Sequence, residues 1–257
     1  MKILFLGTGT SVGIPVIGCD CRVCVSSDPR NQRRRSSLYV AAGPTHLVID
    51  TSLDFREQAL TFKVPRVDAV LITHSHADHI FGLDDIRRYN TIQGASIPVY
   101  GSRQTIDDLN RIFDYVNAAP SPPGVYRPQV EFIEATGPFK AGVIQIEPLV
   151  VEHGSAETFG FRLEADGRTA GYAPDCRAMP EKTLQRLRGV DVMILDALRH
   201  RPHPSHLTVE GSVEMLKRIG ARHSYLTHLC HDLDHEETQE SLPPSVFVSC
   251  DGLTLNL

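Results

Sequence analysis

The sequence predicts an α/β fold in which two β-sheets stack face to face and carry helices on their outer sides. Short apolar runs typical of strands alternate with helical segments along the 257-residue chain. This alternation occurs as two successive sets of similar make-up, separated by a Pro- and Gly-rich segment at residues 119–124. Hydrophobic residues make up 41% of the chain, which is enough for a sizeable core and excludes a disordered protein.

The first set contains five predicted strands and three predicted helices. The first helix repeats Leu or Phe at a spacing near four, as one buried face requires. The strands are predicted at residues 2–6, 37–41, 47–50, 67–72 and 97–100, and the helices at residues 54–62, 83–89 and 103–116.

The second set continues the alternation after the Pro- and Gly-rich segment, which itself predicts an exposed loop. In the last helix of this set, Thr208 suits the N-cap position and Gly220 the C-cap position. The strands are predicted at residues 129–133, 143–151, 159–163, 169–172, 191–195 and 224–227, and the helices at residues 181–187 and 208–219.

The end of the chain predicts a β-hairpin. Two apolar runs, residues 246–249 and 253–257, flank an Asp-Gly pair at residues 251–252, which is typical of a tight hairpin turn. No charge run, low-complexity tract or long Gly/Ser stretch divides the sequence, so we expect a single domain over residues 1–257.

The charge and the apolar runs limit the class of protein. The net charge of −5 argues against a broadly basic nucleic-acid-binding surface and leaves room only for a local basic patch. The three arginines at residues 33–35 are the obvious run, and we expect them to form a solvated face. The apolar start of the chain is too brief for a signal peptide, and no run approaches membrane-spanning length. We therefore expect a cytoplasmic protein without a membrane partner.

The segment H-x-H-x-D-H at residues 74–79 carries four potential metal ligands, His74, His76, Asp78 and His79. It follows a predicted buried strand, and α/β folds build their sites at strand ends. Imidazole and carboxylate groups suit zinc, iron or manganese. Because so short a segment cannot wrap all its ligands around one ion, it predicts a paired metal site.

Further potential ligands stand just past other predicted strands. His153, Asp175 and His228 each follow an apolar run. One such residue is usually an ordinary loop residue, but three of them in a chain that carries the histidine motif indicate additional ligands.

A second cluster consists of Cys19, Cys21 and Cys24 in the pattern C-x-C-x-x-C. In a reducing compartment this spacing favours metal binding over disulfides. Three thiolates leave a tetrahedral zinc one ligand short, and both Cys230 and His231 are candidates for the fourth position.

These motifs resemble the metallo-β-lactamase superfamily, and within it the PhnP-like phosphodiesterases of the carbon–phosphorus lyase pathway. The histidine motif carries the resemblance to the superfamily, and four local features carry the resemblance to the branch. They are G-T-G-T-S-x-G-x-P at residues 7–15, I-D-T at 49–51, P-E-K-T-L at 180–184 and T-H-L-C-H at 227–231. The resemblance spans essentially the whole chain and implies a four-layered αβ/βα sandwich.

The resemblance also implies a role for each ligand. Asp175 would bridge two catalytic divalent ions, which would be zinc or manganese, although iron also suits the ligands. Asp50 would orient a ligand histidine. The first ion would be held by His74, His76 and His153, the second by Asp78, His79 and His228, and a separate structural zinc by Cys19, Cys21, Cys24 and His231.

By the same resemblance, His206 would contact the phosphate and protonate the leaving alkoxide, so that it joins Asp78 and Asp175 in the catalytic set. An imidazole with an ordinary pKa near 6.5 suits this role. His200 and His203 lie close by in the chain, and the sequence leaves open which histidine performs it.

The sequence thus predicts a binuclear metal-dependent phosphodiesterase acting on small or cyclic phosphodiesters, such as cyclic ribose phosphates or 2′,3′-cyclic nucleotides. Its expected partners are that substrate and a second copy of the chain in a homodimer, with no nucleic acid larger than a nucleotide. One alternative is a tRNA 3′-processing endoribonuclease. The acidic net charge and the lack of a Gly/Pro-rich arm for gripping tRNA argue against it. Another is a diiron redox protein. Such proteins have Glu in place of the second histidine of the motif, whereas this chain has His76. A third is a non-catalytic metal-binding module, which the complete ligand set disfavours.

Overall fold

The computed structural model describes residues 1–116 and 126–257, so the predicted loop at residues 119–124 lies outside the described part of the chain. Two mixed seven-stranded sheets face each other, with helices on their outer sides. This arrangement confirms the predicted α/β sandwich.

The first sheet has the strand order β14-β1-β2-β3-β4-β5-β6 and the second the order β13-β12-β11-β10-β9-β8-β7. The strands of the first sheet are β1 Lys2–Gly7, β2 Ser37–Ala42, β3 Thr45–Ile49, β4 Ala69–Leu71, β5 Ile97–Gly101, β6 Val130–Glu134 and β14 Thr254–Asn256. Those of the second are β7 Phe139–Ala141, β8 Ile144–His153, β9 Ala156–Ala165, β10 Arg168–Ala173, β11 Val192–Asp196, β12 His223–Thr227 and β13 Val246–Val248.

Seven α-helices lie within the described residues. The helices are α1 Phe55–Thr61, α2 Ala77–Ile80, α3 Arg87–Gln93, α4 Arg103–Ile112, α5 Glu181–Leu187, α6 Val209–Ile219 and α7 His235–Ser241. Two short 3₁₀ turns occur at Pro29–Asn31 and Leu83–Ile86. None of these helices combines the length and apolar character that a membrane crossing requires.

Alternation along the strands divides the apolar residues between the core and the two helical layers. On β3, Ile49 faces the other sheet while its neighbour Val48 faces the helices. On β11, Ile194 faces the first sheet while Leu195 packs under the outer helices. Since successive side chains of a strand point to opposite faces, each sheet is covered on both sides, which gives four layers.

Helix α6 begins and ends as the sequence predicts. The Thr208 side chain accepts a hydrogen bond from the backbone N–H of Gly211, and the helix stops at Gly220 in the left-handed conformation with φ of 65°. This start fixes the direction of the chain immediately after His206.

The helix predicted at residues 181–187 is found with these bounds as α5, and the other predicted elements are found with shifted boundaries. The helix predicted at residues 83–89 is a 3₁₀ turn at Leu83–Ile86 followed by α3, and the helix predicted at residues 103–116 ends at Ile112. Strand β7 and helices α2 and α7 were not predicted, because all three are short and carry little periodicity.

The predicted C-terminal hairpin is wrong. Strand β13 pairs with β12 in the second sheet, whereas β14 pairs with β1 in the first. The chain crosses from the second sheet to the first at the Asp-Gly pair. The Asp251 carboxylate holds this crossing in place by accepting hydrogen bonds from Thr8 Oγ1 and from the Arg34 backbone N–H, both at 2.8 Å. Gly252, with φ of 86°, then returns the chain to β1.

The prediction that the three arginines at residues 33–35 form a solvated face is wrong for Arg33. Arg33 is only 2% exposed and donates hydrogen bonds to Thr8 Oγ1 at 2.9 Å and to the Ser249 carbonyl at 2.6 Å. Arg34 and Arg35 form ion pairs with carboxylates at the start of α1. The run therefore ties the N-terminal glycine motif to the rest of the sandwich.

Candidate metal centre and active site

The predicted catalytic ligands meet at one end of the sandwich. The histidine motif starts just after β4 and continues into α2, which carries Asp78 and His79. His153 ends β8, Asp175 follows β10 and His228 follows β12. Each side chain is thus placed by the end of a strand or by the short helix that follows one.

The first group of ligands consists of three imidazoles. His74 Nε2 lies 2.8 Å from His76 Nδ1, and His153 Nε2 lies 3.3 Å from the same atom. The Nδ1–H of His153 donates to the Ser205 carbonyl at 2.9 Å, which leaves the lone pair of Nε2 facing the group. Burial lowers the pKa of both His74 and His153, so these rings are neutral and able to bind a cation.

The second group consists of Asp78, His79 and His228. Oδ2 of Asp78 lies 3.2 Å from His79 Nε2 and 3.7 Å from His228 Nε2. His228 holds this position with φ of 59°, a conformation that non-glycine residues rarely adopt and that is common at functional sites.

Asp175 lies between the two groups. Its Oδ2 is 3.1 Å from His79 Nε2, and its Oδ1 is 3.3 Å from His228 Nε2 and 3.7 Å from His153 Nε2. One carboxylate therefore contacts ligands of both groups, as the predicted bridging role requires.

Asp50 lies behind His79 and orients it. Its carboxylate accepts a hydrogen bond from His79 Nδ1 at 2.8 Å, and others from the backbone N–H and the hydroxyl of Thr73. The bond at Nδ1 fixes the tautomer of His79 and turns the lone pair of Nε2 toward Asp78 and Asp175. Asp50 keeps this position with φ of 63°.

The chemistry of the site fits divalent cations. Asp175 Oδ2 and the Nε2 atoms of His79 and His228 are buried and have no hydrogen-bond partner among the described residues, although they lie close together. The carboxylates of Asp50, Asp78 and Asp175 form ion pairs with histidines but with no Lys or Arg in the described chain. Bound cations would neutralise this buried negative charge, which is otherwise costly.

His206 stands beside these ligands and is held by a residue that sequence reasoning missed. Its Nδ1 lies 2.7 Å from Asp196 Oδ2, and its Nε2 lies 3.8 Å from Asp175 Oδ1. Burial lowers the pKa of His206 to about 4 and raises that of Asp196 well above its ordinary value. The only signal for Asp196 in the sequence was a carboxylate one position past a predicted strand.

The two neighbouring histidines differ in position. His200 is exposed and its Nδ1 lies 2.6 Å from the Glu210 carboxylate, away from the ligands. His203 lies next to His206, with ring centroids 5.0 Å apart. His206 is therefore the histidine that faces Asp175.

The cysteine cluster forms a separate site. The Sγ atoms of Cys19, Cys21 and Cys24 lie 3.3, 3.5 and 3.5 Å from His231 Nδ1. A tetrahedral zinc with ordinary bond lengths has ligand separations of roughly 3.5 Å, so these four residues fit one. The backbone N–H of Cys24 is the main cause that lowers the pKa of Cys21 to about 6, which favours the thiolate. Of the two predicted candidates for the fourth ligand, the structure brings His231 to the cysteines and not Cys230.

Comparison with known proteins places this geometry in a family. Residues 45–229 match the model of the β-lactamase superfamily domain. The chain superimposes on the crystal structure of a new diphosphatase from the PhnP family with a TM-score of 0.91 and 40% identity, over 100% of this chain and 97% of that one. It also superimposes on Zn²⁺-bound PqqB from Methylobacterium extorquens with a TM-score of 0.80 over the whole of both chains, where 22% identity shows a shared fold.

A curated sequence relative is larger than this chain. The octanoyltransferase of Porphyromonas gingivalis (strain ATCC BAA-308 / W83) is 34% identical over 256 residues, which cover 98% of this chain and 51% of that protein. The chain therefore spans about half the length of this relative.

Proposed function

Because this chain belongs to the β-lactamase superfamily and to its PhnP-like branch, we propose that it is a binuclear metal-dependent phosphodiesterase of small or cyclic phosphodiesters. The observation that carries the proposal is the position of Asp175 between two three-residue ligand groups, with His206 Nε2 3.8 Å from the same carboxylate. A carboxylate shared by two metal sites with a proton donor beside it is an arrangement that suits phosphoryl transfer to water.

Each ligand group would hold one divalent cation, with Asp175 shared between them. Bound divalent ions polarise phosphoryl oxygens and lower the pKa of water. The first cation would take His74, His76 and His153, and the second would take Asp78, His79 and His228.

His206 would supply the proton that the leaving oxygen needs. Since burial raises the pKa of Asp196 and lowers that of His206, the proton in their hydrogen bond resides on Asp196, and the hydrogen of the neutral His206 ring is on Nε2. When Nε2 gives its hydrogen to the leaving alkoxide, Nδ1 receives the proton of Asp196. The ring then ends neutral, and the new charge resides on the Asp196 carboxylate.

A second candidate substrate is a small diphosphate. The PhnP-family diphosphatase that this chain resembles is 40% identical over nearly the full length of both chains. In a diphosphate the leaving oxygen belongs to a second phosphoryl group, so the same ligands and the same proton donor would serve.

The test is a substrate panel on protein reconstituted with zinc or manganese. Bis(p-nitrophenyl) phosphate, 2′,3′-cyclic AMP, ADP and p-nitrophenyl phosphate would be compared, with Asp175→Ala as the inactive control. We expect diester or diphosphate hydrolysis well above monoesterase activity. A robust thioester or β-lactam hydrolysis rate without hydrolysis of any diester or diphosphate would overturn the proposal.

A further inference from the structure

The loop at residues 199–205 (R-H-R-P-H-P-S) runs beside His206 and places the imidazole of His203 next to it. The rings of His203 and His206 have centroids 5.0 Å apart and are inclined by 51°. His203 is partly exposed, so it lies at the rim of the site and not beneath it. It has no part in the metal-ligand groups or in the proton transfer assigned to His206.

Hydrogen bonds fix which nitrogen of His203 carries the hydrogen. The backbone N–H of Ser205 donates to His203 Nδ1 at 3.3 Å, and the Ser205 hydroxyl lies 3.2 Å from the same atom. A backbone N–H can only donate, so Nδ1 must be the acceptor and the hydrogen of the neutral ring resides on Nε2. Among the described residues, none bonds to Nε2, so this N–H donor has no protein partner in the described chain.

The loop around His203 is braced, so this donor has a fixed position. The Arg199 guanidinium donates to the carbonyls of Arg201 and Pro202 at 3.2 and 3.3 Å. On the other side of the loop, the Ser205 carbonyl accepts the hydrogen bond from His153. A donor held in advance loses little entropy when a ligand binds.

The loop also carries an uncompensated positive charge. Among the described residues, no carboxylate forms an ion pair with Arg199, whereas Arg201 pairs with Asp232 at 2.7 Å. The Arg199 guanidinium donates to the carbonyl of Pro202, the residue before His203, so its positive charge and the N–H of His203 belong to one short segment, and both favour an anion.

We propose that His203 is a specificity-determining residue, whose Nε2–H binds the non-reacting phosphoryl group of a small diphosphate while the other phosphoryl group lies at Asp175 and His206. The inference rests on the proposed function and deepens it, because it favours diphosphates over simple diesters. In a diphosphate, the outer oxygens of the two phosphoryl groups lie about as far apart as the rings of His203 and His206. Hydrolysis adds water across the P–O–P link: one phosphorus gains the hydroxyl, and the bridging oxygen leaves with the other.

The test measures binding separately from turnover. Calorimetry on the metal-loaded protein would compare methylenediphosphonate, which cannot be hydrolysed at its P–C–P link, with methylphosphonate. We expect His203→Ala to weaken methylenediphosphonate binding about tenfold or more, as loss of a hydrogen bond to a charged group does, and to change methylphosphonate binding much less. An equal effect on both ligands, or no effect on either, would overturn the proposal.

Two further variants separate recognition from damage to the loop. His203→Gln can still place an amide N–H near the position of Nε2, so it should recover most of the diphosphonate affinity. His200→Ala removes a histidine of the same loop that faces Glu210, and it should bind both ligands as the wild type does. Loss of affinity in His200→Ala, or no recovery in His203→Gln, would contradict a specific contact at His203.

Kinetics provide an independent readout. In His203→Ala, KM for ADP should rise about tenfold or more with a smaller change in kcat, so the ratio of kcat/KM for ADP over bis(p-nitrophenyl) phosphate should fall. A fall in kcat for ADP with KM unchanged would make His203 a support for His206 and would overturn the recognition role. If the wild-type protein hydrolyses neither substrate, the proposed function fails, whereas the calorimetric comparison still decides whether His203 reads a second phosphoryl group.

Discussion

Asp196 lies 2.7 Å from Nδ1 of His206, although the two residues belong to different elements and ten positions separate them. Asp196 is the last residue of β11, whereas His206 stands in the loop that leads into α6. The backbone N–H of Cys176, next to Asp175, donates to the same Asp196 oxygen at 2.8 Å. The proton donor and the carboxylate shared by both ligand groups are therefore positioned by one buried side chain.

His206→Ala should retain the catalytic metals and lose turnover in a way that depends on the leaving group. Loss of a positioned general acid typically costs 10²–10⁴-fold. An alkoxide needs the proton, whereas p-nitrophenolate leaves well without it, so kcat should collapse on an alkyl or ribose diester and be nearly spared on a p-nitrophenyl diester. Steady-state kinetics with metal analysis would check this. Equal losses on both substrates would assign His206 to phosphate binding.

Asp196→Asn should reproduce the loss without disturbing the geometry. The amide oxygen can still accept the hydrogen bonds from His206 Nδ1 and from the Cys176 N–H, but the amide cannot hold or supply a proton. We expect kcat on an alkyl diester to fall roughly 10²-fold or more, with thermal stability close to that of the wild type. An alkyl-diester rate near that of the wild type would show that the proton reaches the leaving oxygen by another route.

Cys21→Ser should remove one zinc and lower the thermal stability. A closed site contributes its binding free energy directly to folding, so its loss lowers Tm while the ligands at the other end of the sandwich keep their metals. Elemental analysis and a thermal melt would check both effects. Cys250→Ser is the matched control, since Cys250 lies outside the cysteine cluster. A full zinc complement in Cys21→Ser would contradict the structural site.

His235 should make the protein less stable in mild acid. Burial and the neighbouring Arg33 guanidinium, which lies 3.2 Å from Nδ1, lower the pKa of His235 to about 4. Between pH 6.5 and about pH 4 the unfolded chain therefore binds a proton that the native chain does not. The free energy of unfolding is highest above pH 6.5 for this group and falls by up to about 3 kcal/mol as the pH is lowered.

The variant that checks this is His235→Asn, whose side-chain oxygen can take the position of Nδ1 and still accept from Arg33. Urea unfolding of both proteins at pH 7.5 and pH 5 would isolate the contribution of His235, because other titrating groups are common to both. The wild type should lose more stability than the variant between these two pH values. Parallel losses would show that His235 is protonated in the folded protein.

The sequence could predict that the two ligand groups lie together, because their positions depend on local signals. Each of His153, Asp175 and His228 stands where an apolar run ends, and parallel strands bring such ends to one edge of a sheet. The cysteine cluster was equally visible in its spacing. The caps of α6 follow from Thr208 and Gly220, whose preferences act over a few residues.

The features that the sequence did not reveal depend on contacts between distant segments. The Asp-Gly pair at residues 251–252 has the local chemistry of a hairpin turn, yet the strands on either side pair with β12 and β1. The burial of Arg33 depends on Thr8 and Ser249, and the role of Asp196 depends on His206. No periodicity or spacing in the chain records these partners, because each is set by the packing of the two sheets.

The most direct test of a two-ion phosphodiesterase is a metal titration of protein stripped of its catalytic ions, with diesterase turnover and bound metal measured together. Zinc or manganese would be added in steps to protein that retains its structural zinc, and the rate with bis(p-nitrophenyl) phosphate recorded at each step. We expect turnover to reach its maximum only when two ions are bound in addition to the structural zinc, and Asp175→Ala to stay inactive throughout. Full activity with one added ion, or undiminished activity in Asp175→Ala, would contradict a catalytic pair bridged by Asp175.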